Sequence, residues 1–474
     1  MALGVSTRVL QLVGQLILAW FLVPDDYGAV ITASIVVATA NAFTSFSFGQ
    51  YLIAKRGSPE VAVQAAVIHL GLGIIAAVVV YALRGLIGDW LHTPAMDQYV
   101  LGYAVANLII DRARYVPERL IMRALRFRAL ATINGIGDLA FTAAALASAW
   151  GGWGAYSIMF GALVKSSVTS VLFLYAAPNA EWLVRVRMRA ADVRDLFTYG
   201  VPIMIAIVTD TATRKWDNLI VSYLSGPAVM GRYNYAYQLA EMPITSVAEH
   251  IGEVLMPSFS RMEAGQRERA AVRAASLMGL VVSPLGVGLG AVAPTVAAAF
   301  FNAQWGPMIA PMLTILSVMT VFRPMPWSAI AYVQAVQRTR IVMWSSFLRA
   351  VAVLSLVAAG GFIGDWIGAC VGAGIGYSVH SVLTIIASGR ATDLPVAPYL
   401  RGVARPLLPC VPMFLAVVGL EHVLSAAGVP LVVSLIAQVL TGAVVYIIAA
   451  FILVRPSVDE LLRIGREAIR RRRR

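Results

Sequence analysis

The chain has 474 residues, of which 59% are apolar and only 13% are charged. Soluble domains are about half apolar and about a quarter charged, so this composition excludes an ordinary soluble protein. The net charge of +13 is typical either of a nucleic-acid-binding protein or of a membrane protein with arginine-rich cytoplasmic loops. The two cysteines, Cys370 and Cys410, lie in apolar runs and indicate neither a disulfide framework nor a metal site.

Apolar segments long enough to cross a bilayer follow one another along the whole chain. A membrane helix needs about 20 apolar residues, and the sequence accommodates about fourteen such segments. The segments are residues 3–23, 29–54, 61–83, 94–111, 129–150, 153–176, 196–223, 233–259, 274–301, 309–336, 341–362, 366–389, 406–425 and 429–453. The first lacks a basic leader and a small-residue cleavage site, so we interpret it as a true span. The sequence therefore predicts an all-α polytopic membrane protein.

The basic residues support this count and give an orientation. With the N-terminus in the cytoplasm and alternating spans, most of the 37 lysines and arginines fall on the cytoplasmic side. The loops on the opposite side contain only Arg84 and Arg232. Because positive residues favour cytoplasmic loops, we expect both termini to be cytoplasmic. The positive net charge is then explained by the basic residues of the cytoplasmic loops, and we expect no nucleic-acid partner.

The chain contains a weak internal repeat. The turn Leu22–Gly28 after the first segment has a counterpart in Leu224–Gly231 after the seventh, and Trp153–Ala155 has one in Trp366–Ala369. Both pairs fit six spans repeated after six spans. Transporters built from such parallel repeats place the substrate site between the two halves.

The repeat predicts four parts of the chain. They are an N-terminal lobe of residues 1–185, a C-terminal lobe of residues 186–390, two further helices within residues 391–453, and a tail of residues 454–474. The tail is basic and amphipathic and ends in five arginines. We expect it to bind the anionic inner leaflet, because clustered arginines beside an apolar face attract anionic lipid surfaces.

Five basic residues lie within the predicted spans: Lys165, Arg214, Lys215, Arg323 and Arg349. Charges at this depth are costly, and they mark substrate or ion pathways. Lys165, Arg323 and Arg349 lie within about three residues of their span centres, which places them in one layer roughly 5 Å thick. Cations lining a central cleft would bind an anion, and diphosphate suits the rigid donor fork of arginine. The alternative is structural pairing, for which Asp138 on the neighbouring segment is the expected partner of Lys165.

Acidic residues accompany these cations. Asp210 and Arg214 are four residues apart and Asp217 follows three residues later, so one helix face carries all three. Glu241 lies at the depth of Arg214 on the next segment. A buried network of these four residues would hold a lobe together or carry a coupling proton or cation.

The sequence offers little chemistry for an enzyme. It has no GxxxxGK[ST] phosphate loop, no HExxH zinc motif and no cysteine–histidine cluster, so we expect no cofactor and no metal. Asp25 and Asp26 resemble a catalytic acid pair, but their Pro-Asp-Asp-Tyr-Gly context favours a helix-capping turn. We therefore expect a transporter rather than an enzyme, with a membrane glycan polymerase or ligase as the remote alternative.

Two stretches carry a family resemblance. Residues Leu22–Gly28 read Leu-Val-Pro-Asp-Asp-Tyr-Gly, a second stretch begins at Tyr199–Pro202, and it closes with Leu255–Arg261. The first is similar to the LTPEDFG turn, and the last to the LFPALSR ending, of the polysaccharide transporters known as Wzx-type flippases. The resemblance implies the multidrug/oligosaccharidyl-lipid/polysaccharide transporter superfamily, in which two six-helix lobes surround a central cavity.

This resemblance also implies a function. Such a protein moves a polyprenyl-diphosphate-linked oligosaccharide across the bacterial inner membrane by alternating access, for exopolysaccharide or O-antigen synthesis. Its partners would be that substrate, a polysaccharide polymerase and chain-length proteins. The related lipid II flippases carry several arginines in the first two helices, where this chain has only Arg8. The alternative is an ion-coupled drug or small-molecule exporter of the same fold, which would favour an acidic cavity.

Overall fold

The computed structural model describes residues 14–54, 59–177, 189–263 and 265–472. These residues form helices and turns, and no strand occurs among them. The all-α prediction is therefore confirmed. The chain divides into two compact units, Met1–Gly231 and Arg232–Arg474.

The first unit consists of short and long helices. They are α1 (residues 14–21), α2 (Pro24–Phe43), α3 (Phe48–Ala54), α4 (Pro59–Trp90), α5 (Asp97–Ala104), α6 (Asp111–Ala113), α7 (Tyr115–Arg123), α8 (Phe127–Trp150), α9 (Tyr156–Ala176) and α10 (Ala190–Ser225). A π-helix, Val105–Ile110, joins α5 to α6. This unit includes α10, which the repeat assigned to the C-terminal lobe, and the predicted lobe boundaries stay a prediction.

The second unit holds the remaining helices and the tail. They are α11 (Pro227–Ser260, whose first turn belongs to the first unit), α12 (Gln266–Phe300), α13 (Gly306–Thr320), α14 (Trp327–Ala335), α15 (Thr339–Ala391), α16 (Val396–Ala404), α17 (Cys410–Ala426), α18 (Leu431–Leu453) and α19 (Arg455–Arg472). In α15 the backbone leaves the helical conformation at Gly364 and Asp365, so this element is two helices joined by a turn. Gly360 and Gly368 bring the two halves into backbone contact. Most of the described tail is the helix α19.

The helices suit a bilayer. Nine of those in the described ranges are long and apolar enough to cross a membrane. Large apolar side chains lie on the outside, including Ile363, which is 89% exposed, and Ile452, which is 73% exposed. In water such surface would be unfavourable, whereas lipid accepts it. The chain is thus a multi-pass membrane protein, and the exact number of fourteen spans stays a prediction.

Two predicted segments are interrupted. The segment predicted at 29–54 begins earlier, at Pro24, and breaks at residues 44–47. Its start follows from proline at the first helical position and from Asp25 and Asp26 in the first turn, where carboxylates stabilise the helix dipole. The segment predicted at 309–336 breaks at residues 321–326, where two prolines remove backbone donors.

The two turns of the internal repeat contact each other within the first unit. A Cβ atom on Gly28 would overlap the carbonyl group of Pro227, and a Cβ atom on Gly231 would lie 2.5 Å from the carbonyl oxygen of Pro24. Each glycine therefore admits the backbone of the other turn. We call this the glycine contact.

Candidate functional site

A polar cavity of about 430 Å³ lies inside the first unit. The polar and charged side chains on its wall are Gln15, Asn107, Asp111, Arg114, Thr142, Lys165 and Ser166. They come from α1, the π-helix, the short α6 region, α8 and α9. A cavity of this size falls within the range of about 300–1,000 Å³ that small-molecule sites occupy. We call it the Lys165 cavity.

Lys165 lies on the wall of this cavity and is paired with a carboxylate. Its Nζ atom is 2.7 Å from Oδ1 of Asp138 on α8, so the pairing that the sequence offered as an alternative is formed. The Lys165 side chain is nonetheless 42% exposed, and that of Asp138 is 24% exposed. A partly exposed ion pair contributes only about 0.2–1 kcal/mol, so an incoming anion competes with Asp138 at modest cost.

Arg114 is a second cation on the same wall. Its Nε atom lies 2.8 Å from Oδ1 of Asp111, and its Nη1 atom lies 3.2 Å from Oε2 of Glu118. Sequence reasoning placed Arg114 on the cytoplasmic rim and missed its position in the cavity. The preceding π-helix turns the chain here, and Ser170 donates a hydrogen bond to the Ile110 carbonyl at its end. The signal in the sequence was Asn107, a polar residue in an otherwise apolar run.

Arg112, next to this cavity in sequence, fixes the break between α2 and α3. It is only 2% exposed. It donates hydrogen bonds to the carbonyls of His69 and Thr44 at 3.0 and 3.3 Å, and to Oδ1 of Asn41 at 2.8 Å. Its cation thus satisfies the carbonyl end of α2, where the helix dipole is negative.

Replacing Arg112 with alanine will lower the free energy of unfolding by about 3 kcal/mol, because buried acceptors of a charged donor lose their partner. Thermal unfolding of the purified protein in detergent measures this loss. The control is Arg84→Ala, since Arg84 donates only an exposed hydrogen bond to the Tyr81 carbonyl. Equal unfolding temperatures for the two variants would show that Arg112 does not fix this break.

Arg323 lies in the break between α13 and α14. It is 7% exposed, and its Nη1 atom is 2.6 Å from Oε1 of Glu241 on α11. The same nitrogen lies 3.3 Å from the hydroxyl of Tyr237, which in turn is 2.6 Å from the hydroxyl of Tyr377. The guanidinium carbon lies 5.3 Å from the centre of the Tyr377 ring. The second unit therefore buries a neutralised arginine among tyrosines.

Side chains from other helices satisfy the carbonyls freed by this break. Ser381 of α15 donates to the Phe322 carbonyl at 2.7 Å, and Tyr399 of α16 donates to the Met325 carbonyl at 2.8 Å. Irregular backbone at membrane depth is stable only where protein groups satisfy it in this way. Broken helices of this kind often mark transport sites.

The acids of the predicted network have separate partners. Arg214 pairs with Asp210 at 3.0 Å, but both side chains are 50% exposed rather than buried. Asp217 is buried and accepts a hydrogen bond from Asn218 at 2.9 Å. Glu241, expected beside Arg214, pairs with Arg323, because a cation buried in low dielectric needs a counter-ion at close range. The membership of all four residues in one buried network stays a prediction.

The other two predicted cations are partly buried. Lys215 lies on α10 in the first unit, beside the exposed Asp210–Arg214 pair in sequence. Arg349 lies on the first half of α15 in the second unit, near His380. Lys165 thus belongs to the first unit and Arg323 and Arg349 to the second, and their joint role in one substrate site stays a prediction.

The chain is similar to proteins of polysaccharide synthesis. It is 24% identical over 469 residues to the succinoglycan biosynthesis transport protein ExoT of Rhizobium meliloti (strain 1021), covering 97% of this chain and 93% of that protein. It is also 24% identical over 318 residues to the lipopolysaccharide biosynthesis protein WzxC of Escherichia coli (strain K12). That match covers 66% of this chain and 64% of the length of WzxC.

Solved structures share the fold. The lipid II flippase MurJ in an inward closed conformation superposes with a TM-score of 0.76 at 13% identity, covering 96% of this chain and 99% of that one. An inward-facing multidrug resistance transporter of the MATE family superposes with a TM-score of 0.62 at 16% identity, covering 83% of this chain and 96% of that one. At these identities the likeness concerns the fold. It agrees with the predicted all-α membrane fold.

A family match covers more than half of the chain and includes most of the Lys165 cavity. The model of the polysaccharide biosynthesis protein family matches residues 17–310. This range also contains the repeated turns and Glu241. The resemblance of the turn motifs to polysaccharide transporters is therefore confirmed, and the chain belongs to the polysaccharide biosynthesis protein family.

Proposed function

We propose that the protein is a flippase that moves a polyprenyl-diphosphate-linked oligosaccharide across the bacterial inner membrane by alternating access. The observation that carries this proposal is the match along 97% of the chain to a succinoglycan biosynthesis transport protein. The glycan moved would serve exopolysaccharide or O-antigen synthesis. The protein would act as a carrier and not as an enzyme, with both termini in the cytoplasm and its tail on the anionic inner leaflet.

The Lys165 cavity suits the first contact with this substrate. Lys165 and Arg114 present two cations to one space, and the exposed fraction of Lys165 leaves it accessible. A diphosphate accepts charge-assisted hydrogen bonds from both side chains. Arg214, Lys215 and Arg349 are proposed as further contacts along the path. Arg323 is buried and paired with Glu241. We propose that it contacts the substrate only in a conformation in which this ion pair is separated. A polymerase and chain-length proteins would receive the glycan on the outer side.

Replacing Lys165 with alanine will lower transport of a labelled polyprenyl-diphosphate glycan into vesicles by about tenfold, the effect of losing about 1.4 kcal/mol of binding. Lys165→Arg keeps the charge and will retain most of the flux. The matched control is Asp138→Asn, which removes the partner but leaves the cation. We expect that variant to transport within about threefold of wild type, since freeing Lys165 costs the site nothing. Equal losses in Lys165→Ala and Asp138→Asn would assign the pair to structure or coupling instead.

An ion-coupled exporter is the second candidate, and one observation favours it. Asp111 on the cavity wall, and Glu118 and Asp138 beside it, pair with the two wall cations Arg114 and Lys165, so three carboxylates accompany two cations. An acid excess favours cationic substrates. Vesicles that release a cationic dye under a proton or sodium gradient, and that do not move the labelled glycan, would establish this function in place of the flippase.

A further inference from the structure

A groove on the second unit lies between the two halves of α15. It has a volume of about 450 Å³ and is lined almost entirely by apolar atoms. Its wall consists of Ile341, Trp344, Phe347, Leu348 and Val351 from the first half and of Thr384 and Ala387 from the second, with Ser345 at its base. The residues assigned above to transport are not on this wall.

Two aromatic rings stand open in this groove. Trp344 is 63% exposed and Phe347 is 54% exposed. Their ring centroids lie 6.1 Å apart in an edge-to-face arrangement. Together they offer a rigid apolar surface, more than half of which is exposed. Rigid aromatic surfaces of this kind bind apolar chains at low entropic cost.

A buried polar base fixes the width of the groove. Ser345, on the first half of α15, is 3.0 Å from Nε2 of His380 and 2.9 Å from the hydroxyl of Thr384 on the second half. Ser345, His380 and Thr384 are each at most 5% exposed. These hydrogen bonds join the two helices beneath the aromatic rings, so the groove is preformed.

The length and the charged end of the groove indicate its occupant. From Ile341 to Val351 the helix rises roughly 15 Å, which is about half of a bilayer core of roughly 30 Å. Just before Ile341 lie Arg338 and Arg340, both exposed and both on the predicted cytoplasmic side. With the predicted topology, the groove would run through the inner leaflet, and Arg338 and Arg340 would lie near headgroup depth. An apolar chain that ends in a diphosphate matches both features.

We infer that this groove binds the polyprenyl chain of the lipid carrier in the inner leaflet, with its diphosphate on Arg338 and Arg340. The inference deepens the proposed function and rests on it for the choice of lipid. An ordinary phospholipid carries a single phosphate and two acyl chains, so it matches one apolar groove beside two arginines less well. The groove then holds the lipid tail outside the Lys165 cavity while the headgroup is handed over.

Photolabelling tests this inference on the full chain in vesicles of neutral phosphatidylcholine. The probe is a polyprenyl diphosphate with a photoreactive group on its chain and no glycan attached. We expect labelled peptides to come from residues 341–351 and 384–387. Labelling spread evenly over all lipid-facing helices would overturn the inference.

Variants sharpen this test. Ala387→Trp fills the groove and Trp344→Ala removes one of its rings, and each should lower labelling by about tenfold. Phe362→Ala removes an aromatic ring that is 73% exposed on the same element outside the groove, and it should leave labelling unchanged. Both truncated rings are largely exposed, so neither substitution removes core packing. Unchanged labelling in Ala387→Trp would contradict the inference.

Competition separates the two lipid sources. Unlabelled polyprenyl diphosphate should displace the probe, and phosphatidylglycerol at the same concentration should not. Equal displacement by both would show an ordinary lipid site and sink the proposal. Specific labelling without any glycan transport by the protein would leave the groove in place and reject the flippase. Normal glycan transport together with unchanged labelling in Ala387→Trp would support the flippase and reject the groove as the binding site of the polyprenyl chain.

Discussion

Substituting alanine for Gly28 will lower glycan transport by at least about tenfold, because the added Cβ atom overlaps the Pro227 carbonyl group in the glycine contact. Overpacking of side chains costs about 1–3 kcal/mol, and here the obstacle is backbone, which yields less easily. Alanine favours the helix by about 1 kcal/mol over glycine, so propensity opposes the expected loss. Flux of labelled polyprenyl-diphosphate glycan into vesicles measures the effect.

The matched control is Gly71→Ala in α4. A Cβ atom there would meet no atom within 4 Å, so this variant should transport normally and be slightly more stable. The two native cysteines are buried, so a cysteine placed at Leu22, which is 2% exposed, reports opening of the contact. That cysteine should react faster with a thiol reagent in Gly28→Ala than in the parent. Normal flux together with unchanged reactivity would show that the glycine contact has no part in transport.

Replacing Glu241 with glutamine will destabilise the protein by about 3–5 kcal/mol, because the Arg323 cation stays buried without its counter-ion. The double variant Glu241→Gln with Arg323→Met should recover most of that stability. Replacing a buried ion pair by neutral groups of similar volume is often close to neutral. Unfolding in detergent, followed for the single and double variants, measures both effects.

Transport by the double variant then distinguishes structure from substrate contact at Arg323. If the ion pair serves mainly to stabilise the break at residues 321–326, the double variant should fold and retain much of the transport activity. A double variant that is stable but inactive would instead assign Arg323 to the substrate or Glu241 to coupling. Tyr237→Phe is a milder control, since it removes one hydroxyl from the cluster and keeps the charges.

The sequence predicted the class of fold because composition and charge placement are global properties that single errors do not disturb. It also offered the pairing of Lys165 with Asp138 as an alternative and placed Asp210 and Arg214 on one helix face, since neighbouring helices and four-residue spacing restrict the choice of partners. It placed Glu241 at the depth of Arg214, whereas the structure pairs Glu241 with Arg323. The sequence indicates how deep Glu241 and Arg323 lie along their helices. It does not indicate which way their side chains face, because that depends on the break at residues 321–326.

Other parts of the site depend on local backbone that periodicity does not reveal. The π-helix Val105–Ile110 brings Asn107 and Arg114 to the cavity, and nothing in its apolar sequence distinguishes it from an α-helix. Arg112 looked like one of many rim arginines, yet it is buried among neutral carbonyls. In both cases tertiary packing, and not local propensity, decides the geometry.

The glycine contact couples the side chains that the two repeated turns can carry. Gly28 admits the backbone of the Pro227 turn, and Gly231 admits that of the Pro24 turn, so each turn supplies the backbone against which the other packs. A larger residue in either turn would have to be matched by retreat of the other. Substitutions at Gly28 and Gly231 should therefore have effects that do not add.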